Sequence, residues 1–319
     1  MQETDGDASP VVALPDGPAG VTWRRIDAGS VDAVHAIARR IAEDETPGFP
    51  VGRSELDRSV QAAGSPGRTA LAMRDGEPVA FGFVVPGAAA VRLPGGVLPA
   101  VHGLGIGRRL LAWQVAQARA VGAGPALPMG VRQPSVAVRT AALLAHAGFR
   151  PERTFLHLRR SPGAIRPAPL PADLRSAPFE TRFDEPLRVA KNLAFADHWR
   201  SSPEDPEAWA QHHLGSWLRR DLSRLALTAD ERVAGFVVTW EPEDVTDESY
   251  VALVGTDPER RGEGIARALL TEVVAASAAA GRPVVTLEVD ADSPTGADRL
   301  YASVGFERAL EAVIHGLPS

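Results

Sequence analysis

The sequence predicts an α+β layered chain of two tandem domains, each a mixed, mostly antiparallel sheet flanked by helices. Three observations carry this. At 319 residues the chain is long for one core and fits two domains of ordinary size. A strand, a glycine-punctuated turn and a helix follow one another from Tyr250: residues 250–254 are apolar, glycines stand at 262 and 264, and Ile265, Leu269 and Val273 recur every four. The pattern also occurs earlier, since Pro99, His102, Gly103, Gly105 and Gly107 precede Pro258, Arg261, Gly262, Gly264 and Ala266 by 159 positions each. A repeat that long is a duplicated domain rather than a solenoid, whose period is about 20–50 residues.

In the first copy a strand is predicted at 21–26 and a helix from Ser30 as cap through Val34, Ile37, Ala38 and Ile41, broken at Pro47-Gly48. A second helix is expected at 54–63. Strands at 69–73 and 78–85 flank the turn Arg74-Asp75-Gly76-Glu77. The motif at 97–107 leads into a helix through Leu110, Trp113 and Gln117, and Ala147-Gly148-Phe149 echoes Val304-Gly305-Phe306. The proline-rich stretch 161–178 reads as a linker between domains at 21–160 and 179–319, with 1–20 a loose tail. The second copy continues with a strand at 179–183, helices at 187–198 and 206–220, and strands at 224–228, 233–240 and 250–256. After the loop and its helix come a strand at 283–290, a helix at 294–304 and a strand at 308–314.

Composition narrows the function. Hydrophobic content of 45% and charged content of 23% are those of an ordinary globular protein. A net charge of −6 with no basic run argues against nucleic acid as a partner and tolerates a cationic substrate. With 0 cysteines there are no disulfides, thiol nucleophiles or cysteine metal sites. No apolar run reaches membrane-spanning length, and the acidic, Pro/Gly-rich start is unlike an export signal, so a cytoplasmic monomer or homodimer is expected.

The loop carries the chemistry. Gly262 and Gly264 allow a sharp bend with several N–H groups converging, and a helix N-terminus adds unpaired N–H groups and about half a positive charge. Together they cradle phosphate, with Arg261 as a further donor. No Gly-Lys-Ser/Thr follows, and the glycine spacing is not that of a dinucleotide fingerprint. The spacing Arg261-x-x-Gly264-x-Ala266, entered through Thr256-Asp257-Pro258, resembles the acetyl-CoA pyrophosphate loop of the GNAT acyltransferase family. Residues 297–306, with Tyr301 and Gly305-Phe306, resemble that family's last helix; residues 192–199 resemble tandem GNAT proteins of the mycothiol-synthase type. The resemblance spans nearly all of 21–315, most specifically 250–306.

The resemblance implies acetyl-CoA as co-substrate and no metal. By position it places the pantetheine arm on Val254, Gly255 and Thr256, and the pyrophosphate on Arg261, Gly262, Glu263, Gly264, Ile265 and Ala266. Val97, His102, Gly103, Gly105 and Gly107 are their counterparts in the first copy. Tyr301 stands where the family's acid protonates the departing thiolate, and a phenol suits that task. The first copy has Leu144 there, so it keeps a loop without the acid. For the base, Glu248 and Glu288 are both candidates: Thr286, Glu288 and Asp290 alternate onto one strand face, and Glu248, Tyr250, Ala252 and Val254 share a phase on the other strand. His212-His213 reads as helix surface, and Trp199, Trp209 and Trp217 as core or pocket wall.

The expected activity is acetyl transfer from acetyl-CoA to a primary amine of a small molecule, by direct attack in a ternary complex, since no cysteine can accept the acyl group. A non-catalytic acyl-CoA sensor, an aminoacyl-tRNA-dependent transferase and a mycothiol synthase are the alternatives. Surviving glycine loops and the missing basic surface weigh against the second.

Overall fold

The computed structural model describes residues 12–46, 56, 59–60, 63, 66–241, 247–293 and 296–318. The expected helix at 54–63 and the break at Pro47-Gly48 lie largely outside them. The chain divides into two compact units, one of Met1–Thr154 with Glu311–Ser319, the other Phe155–Leu310.

In the first unit, strands β1 (Val21–Arg24), β2 (Thr69–Arg74), β3 (Glu77–Phe83) and β5 (Gly95–Val97) form an antiparallel sheet in the order β1-β2-β3-β5. A second ladder joins β4 (Val91–Arg92) in parallel to β6 (Met129–Pro134). On the other edge of β6 lies the end of the chain's last strand, β13 (Glu307–Gly316), paired antiparallel from Ala312↔Pro134 to Gly316↔Gly130. Helix α1 (Val31–Glu45) buries Val34, Ile37 and Ala38 as its spacing predicts. The Ser30 hydroxyl does not cap it; it donates to Asp27 and accepts from Arg24 Nη1 at 2.8 Å. Helix α2 (Ile106–Ala120) follows the glycine loop and α3 (Val138–His146) follows β6. Neither β6 nor α3 is anticipated from sequence.

The loose tail needs correction at its described end. The Val12 N–H donates to Gln117 Oε1 at 2.9 Å and the Val12 carbonyl accepts from Arg25 Nη2 at 2.8 Å, while Leu14 packs on the core. Two apolar side chains suffice to dock the segment.

The second unit has one sheet. Residues 155–160 of β7 (Arg150–Arg160), then β12 (Val284–Asp290), β11 (Glu248–Thr256), β10 (Val233–Trp240), β9 (Arg224–Leu227) and β8 (Arg175–Pro178) lie side by side. Only β11 and β12 pair in parallel. Helices α4 (Asp184–Ala194) and α5 (Pro206–His213) belong to the cluster on one face, around Phe183, Leu187, Trp209, Phe236 and Leu253. Helices α6 (Ile265–Ala279) and α7 (Ala297–Ser303) pack on the other with Val251, Val285, Leu287 and Val289.

Several expectations shift here. The strand expected at 179–183 is instead β8 at Arg175–Pro178, because the chain leaves the sheet at buried Phe179 and enters a 3₁₀ turn, Thr181–Phe183, that buries Phe183. Helix α4 stops at Ala194 and α5 at His213, the latter just before Gly215. The linker is no free tether: Ile165, Leu170 and Leu174 pack on the second unit's core, and the Ala168 N–H donates to Thr271 Oγ1 at 2.8 Å. The division between units falls at Thr154/Phe155 rather than within 161–178, because the end of β7 pairs with β12.

Candidate active site

In the second unit the sheet opens where the motif begins. Strand β11 pairs with β12 from Glu248↔Val284 to Val251↔Leu287 and no further, yet stays paired to β10 as far as Gly235↔Thr256. The β12-facing edge of Ala252 to Thr256 is therefore a strip of strand backbone without β12 as partner, which an extended amide-bearing chain can join as an added strand. Val254, Gly255 and Thr256 lie on that strip. Gly255 has to be glycine, because a Cβ there would stand 2.2 Å from the Phe236 ring.

Beyond the strip the chain makes a 3₁₀ turn at Pro258–Arg260, held by Asp257 Oδ1 accepting from the Glu259 N–H at 3.0 Å. Gly262 and Gly264 then take φ of +87° and +84°, a left-handed conformation that side-chain-bearing residues rarely adopt. Gly264 caps α6, whose first bond runs from the Ala268 N–H to the Gly264 carbonyl at 3.0 Å. The N–H groups of the first turn have no intrahelical acceptor and no acidic side chain among them, so their partial positive charge is available to an anion. Gly262, Glu263 and Gly264 are exposed. Close packing fixes this helix end, since a Cβ on Gly235 would lie 2.5 Å from Ile265 Cγ2.

The arginines are braces. Arg261 donates from Nη2 to the Ala194 carbonyl at 3.0 Å and from Nη1 to Asp197 at 3.2 Å, tying the loop to the end of α4. Arg260 holds Glu263 at 2.7 Å and Asp173 at 2.8 Å, so the Glu263 carboxylate is neutralised beside the cradle.

Tyr301 lies in the cluster that also contains Ile265 and Val254, its ring edge-on to Phe306 at 5.9 Å. Its side chain is 7% exposed, and burial pushes the phenol pKa well above its ordinary value of 10. The phenol thus keeps its proton at any physiological pH, as an acid must.

The two carboxylates separate. The Thr286 hydroxyl donates to Glu248 Oε1 at 2.6 Å, inside the paired part of the two strands. Glu248 precedes Ala252 by four residues, about 13 Å at ~3.3 Å per residue. Glu288 instead follows the last pair, Val251↔Leu287, and lies at the mouth of the opening. The expected common phase of Glu248, Tyr250, Ala252 and Val254 does not hold. The register runs Val238↔Leu253 and then Thr239↔Val251, which leaves Ala252 as the extra residue of a β-bulge. Val251 and Val254 consequently face α6, whereas Ala252 and Leu253 face α4. Nothing in the local sequence signals it.

The first unit repeats the loop with Gly103 at φ +81° and Gly105 at +79°, the latter capping α2. Gly107 packs a prospective Cβ 3.3 Å from Leu143. His102 replaces the arginine and serves likewise: Nε2 is 3.1 Å from the Val97 carbonyl and Nδ1 3.5 Å from Glu45 at the end of α1. An open cavity of about 360 Å³ is lined by Gly103, Leu104, Gly105, Arg108 and Arg109, and another of about 590 Å³ reaches His102, Asp44, Glu45 and Arg139.

His212 is exposed as expected, and His213 corrects the expectation. His213 is buried at 8% exposure rather than on a helix surface, with its ring 4.3 Å from that of Trp209. Both histidines converge on Glu204, at 2.7 and 3.0 Å, and all three ligand-type atoms lie within 4.8 Å of one another. The Lys191 ammonium, 2.6 Å from the same carboxylate, already supplies the cation and makes the cluster a brace between α4 and α5. Burial disfavours the Glu204 anion, but hydrogen bonds from His213, Lys191 and His212 outweigh it and hold the pKa far below the usual carboxylate value. Trp209 is core, whereas Trp199 contacts Phe155 at 6.3 Å. Among the described residues no helix is long and apolar enough to cross a membrane.

This geometry defines an acyl-CoA transferase architecture, and comparison agrees. Residues 189–306 match the Acetyltransferase (GNAT) family. Along most of its length the chain is 32% identical to the mycothiol acetyltransferase of Thermobispora bispora, covering 88% of this chain and 93% of that one. In fold it is similar to a GCN5-related N-acetyltransferase from Sphaerobacter thermophilus (TM-score 0.77, 24% identity, 95% and 96% coverage). It also resembles a tandem GNAT protein from the clavulanic acid biosynthesis pathway (TM-score 0.70, 17% identity, 94% and 99% coverage). The chain belongs to the GNAT acetyltransferase family, whose donor is acetyl-CoA.

Proposed function

We propose that the second unit transfers acetyl from acetyl-CoA to the primary amine of a small molecule, and that the first unit is not catalytic. One observation carries this: β11 parts from β12 after Val251↔Leu287 and runs straight into a glycine cradle at the N-terminus of α6, with Tyr301 in the cluster beneath. The pantetheine arm pairs with Val254 to Thr256, and the pyrophosphate takes N–H groups of the Gly262–Ala266 loop. The neutral amine nitrogen attacks the thioester carbon, its proton passing through water to Glu288. The tetrahedral intermediate expels the thiolate, which takes the Tyr301 proton. Glu248 is too far back along β11 for the base. Attack is direct, in a ternary complex, and the chain acts in the cytoplasm without metal. The first unit retains a phosphate cradle at Gly103, Gly105 and Gly107 with Val97 beside it, and binds CoA without turnover.

The test is acetyl-CoA-dependent thiol release with aminosugars, polyamines, amino acids and peptide N-termini. Release with at least one amine supports the reading; acetyl-CoA binding without turnover on any amine favours a sensor. A narrower reading, that the acceptor is that of the mycothiol acetyltransferases, is favoured by 32% identity across nearly the whole length.

A further inference from the structure

The face of the second unit's sheet opposite Tyr301 carries a set of side chains that neither the loop nor the acid accounts for. Val285, Leu287 and Val289 point into the α6 cluster, so Thr286, Glu288 and Asp290 point to the other face. Antiparallel to them runs the end of β7, in the register Glu288↔His157 and Asp290↔Phe155. Directly opposed residues share a face, with Cβ atoms about 4.5–5.5 Å apart. His157 therefore stands beside Glu288, and Phe155 beside Asp290, at the mouth of the opening.

The loop after α4 closes over the same patch. The Trp199 ring lies 6.3 Å from that of Phe155, and the Arg200 guanidinium stacks on Trp199 at 4.3 Å. Arg200 holds φ of +53°, unusual for a residue with a side chain, so this corner is kept in place at a conformational cost. Burial lowers the His198 pKa, and the charges of Arg261 and Asp290 act on it in opposite directions, so the patch lies next to the loop brace. Phe155, His157, Glu288, Asp290 and Trp199 are all partly exposed. Two carboxylates draw an ammonium group, and two aromatic rings give a ring-bearing molecule a surface to lie on.

We infer that Phe155 and His157 line the acceptor pocket of the second unit and select its substrate: a compact primary amine with a ring face, its amino group placed beside Glu288 and Asp290 and its ring against Trp199 and Phe155. This rests on the activity proposed above. Phe155 and His157 both belong to the second unit, so the pocket is built within it.

The experiment measures initial rates with a matched panel: a 2-aminosugar, an arylethylamine, a linear diamine and an α-amino acid. Wild type is compared with Phe155→Leu, His157→Asn and a control, Arg232→Ala, an exposed position in the turn between β9 and β10. The inference expects wild type to favour ring-bearing amines. Each pocket variant should raise KM for the preferred amine roughly tenfold or more, with kcat and acetyl-CoA affinity by calorimetry within about twofold. The preference for ring over linear amines should shrink in Phe155→Leu, and the control should behave as wild type. Unchanged amine KM in both pocket variants, with turnover intact, overturns the inference and leaves the activity standing. A wild-type preference for the linear diamine also overturns it. No turnover by wild type on any amine overturns the activity and the inference together.

Discussion

Tyr301 and Leu144 occupy the same corner of their respective units. The Tyr301 carbonyl accepts the Phe306 N–H at 3.0 Å and the Val304 N–H at 3.0 Å; the Leu144 carbonyl accepts the Phe149 N–H at 2.9 Å and the Ala147 N–H at 3.1 Å. Both helices end on a glycine at φ +87°, Gly305 and Gly148. The backbone is duplicated to within about a tenth of an ångström in these bonds, and only the side chain differs. A phenol stands on one copy and an aliphatic group on the other.

Tyr301→Phe should keep the ring packed on Phe306 and remove only the proton. General acid catalysis contributes about 10²–10⁴-fold, and a thiolate is a tolerable leaving group, so kcat should fall towards the lower end while acetyl-CoA affinity changes little. Burial raises the phenol pKa above 10, so the acid form persists as pH rises through the ordinary tyrosine range. The wild-type rate should accordingly show no alkaline loss from Tyr301 below pH 10. A pH–rate profile that falls near pH 8, and flattens in the Phe variant, would give Tyr301 a different role.

Gly264→Val should weaken acetyl-CoA binding by at least about 2 kcal/mol, ~30-fold in Kd, and abolish turnover. Open space surrounds the position, so the effect comes from φ of +84° and not from collision. Gly105→Val, with the same strain at φ +79°, should leave turnover nearly intact. Calorimetry and steady-state rates on both variants check the pair; equal damage to the chemical step would make the first unit a participant.

Gly255→Ala tests packing at the strip. With the new Cβ 2.2 Å from Phe236, itself only 1% exposed, strand or ring must move. Overpacking of this kind costs roughly 1–3 kcal/mol, visible as a lowered Tm, and shifts the strip proposed above to hold the donor.

Glu204→Gln should lower Tm at neutral pH. The folded-state pKa of Glu204 is depressed, so its stabilisation is present above the unfolded value near 4.5 and is lost as pH falls through the folded value. The Tm difference between wild type and variant should hold at pH 7 and narrow progressively below about 4.5. A pH-independent difference would mean that the carboxylate's charge is not what braces α4 to α5.

The cradle was legible because its requirements are local. Gly262 and Gly264 are demanded by the backbone of the turn itself, and duplication made the pattern visible twice. Alternation correctly put Thr286, Glu288 and Asp290 on one strand face, but it failed across Ala252, where a single bulged residue reverses the phase. Arg261 reads from sequence as a phosphate ligand; its partner, Asp197, lies 64 residues away and leaves no local trace. His213 is buried through Glu204 and Lys191, again partners set by folding. The docking of 165–174 hinges on Ile165, Leu170 and Leu174, which prolines obscure in a compositional reading.

The ends of β7 and β13 change hands: residues 155–160 complete the sheet of the second unit, and 311–316 that of the first. A cut at Gly163, in an exposed stretch, would therefore separate two pieces, each missing an edge of its own sheet. Bare edges at β6 and β12 invite aggregation, so the pieces made alone should be insoluble and made together should reassemble. Gene truncation faces the same barrier. A descendant that discarded the residues before Gly163 would strip β12 of the strand beside Glu288, so on the reading proposed above the first half is retained by architecture whether or not it takes part in the chemistry.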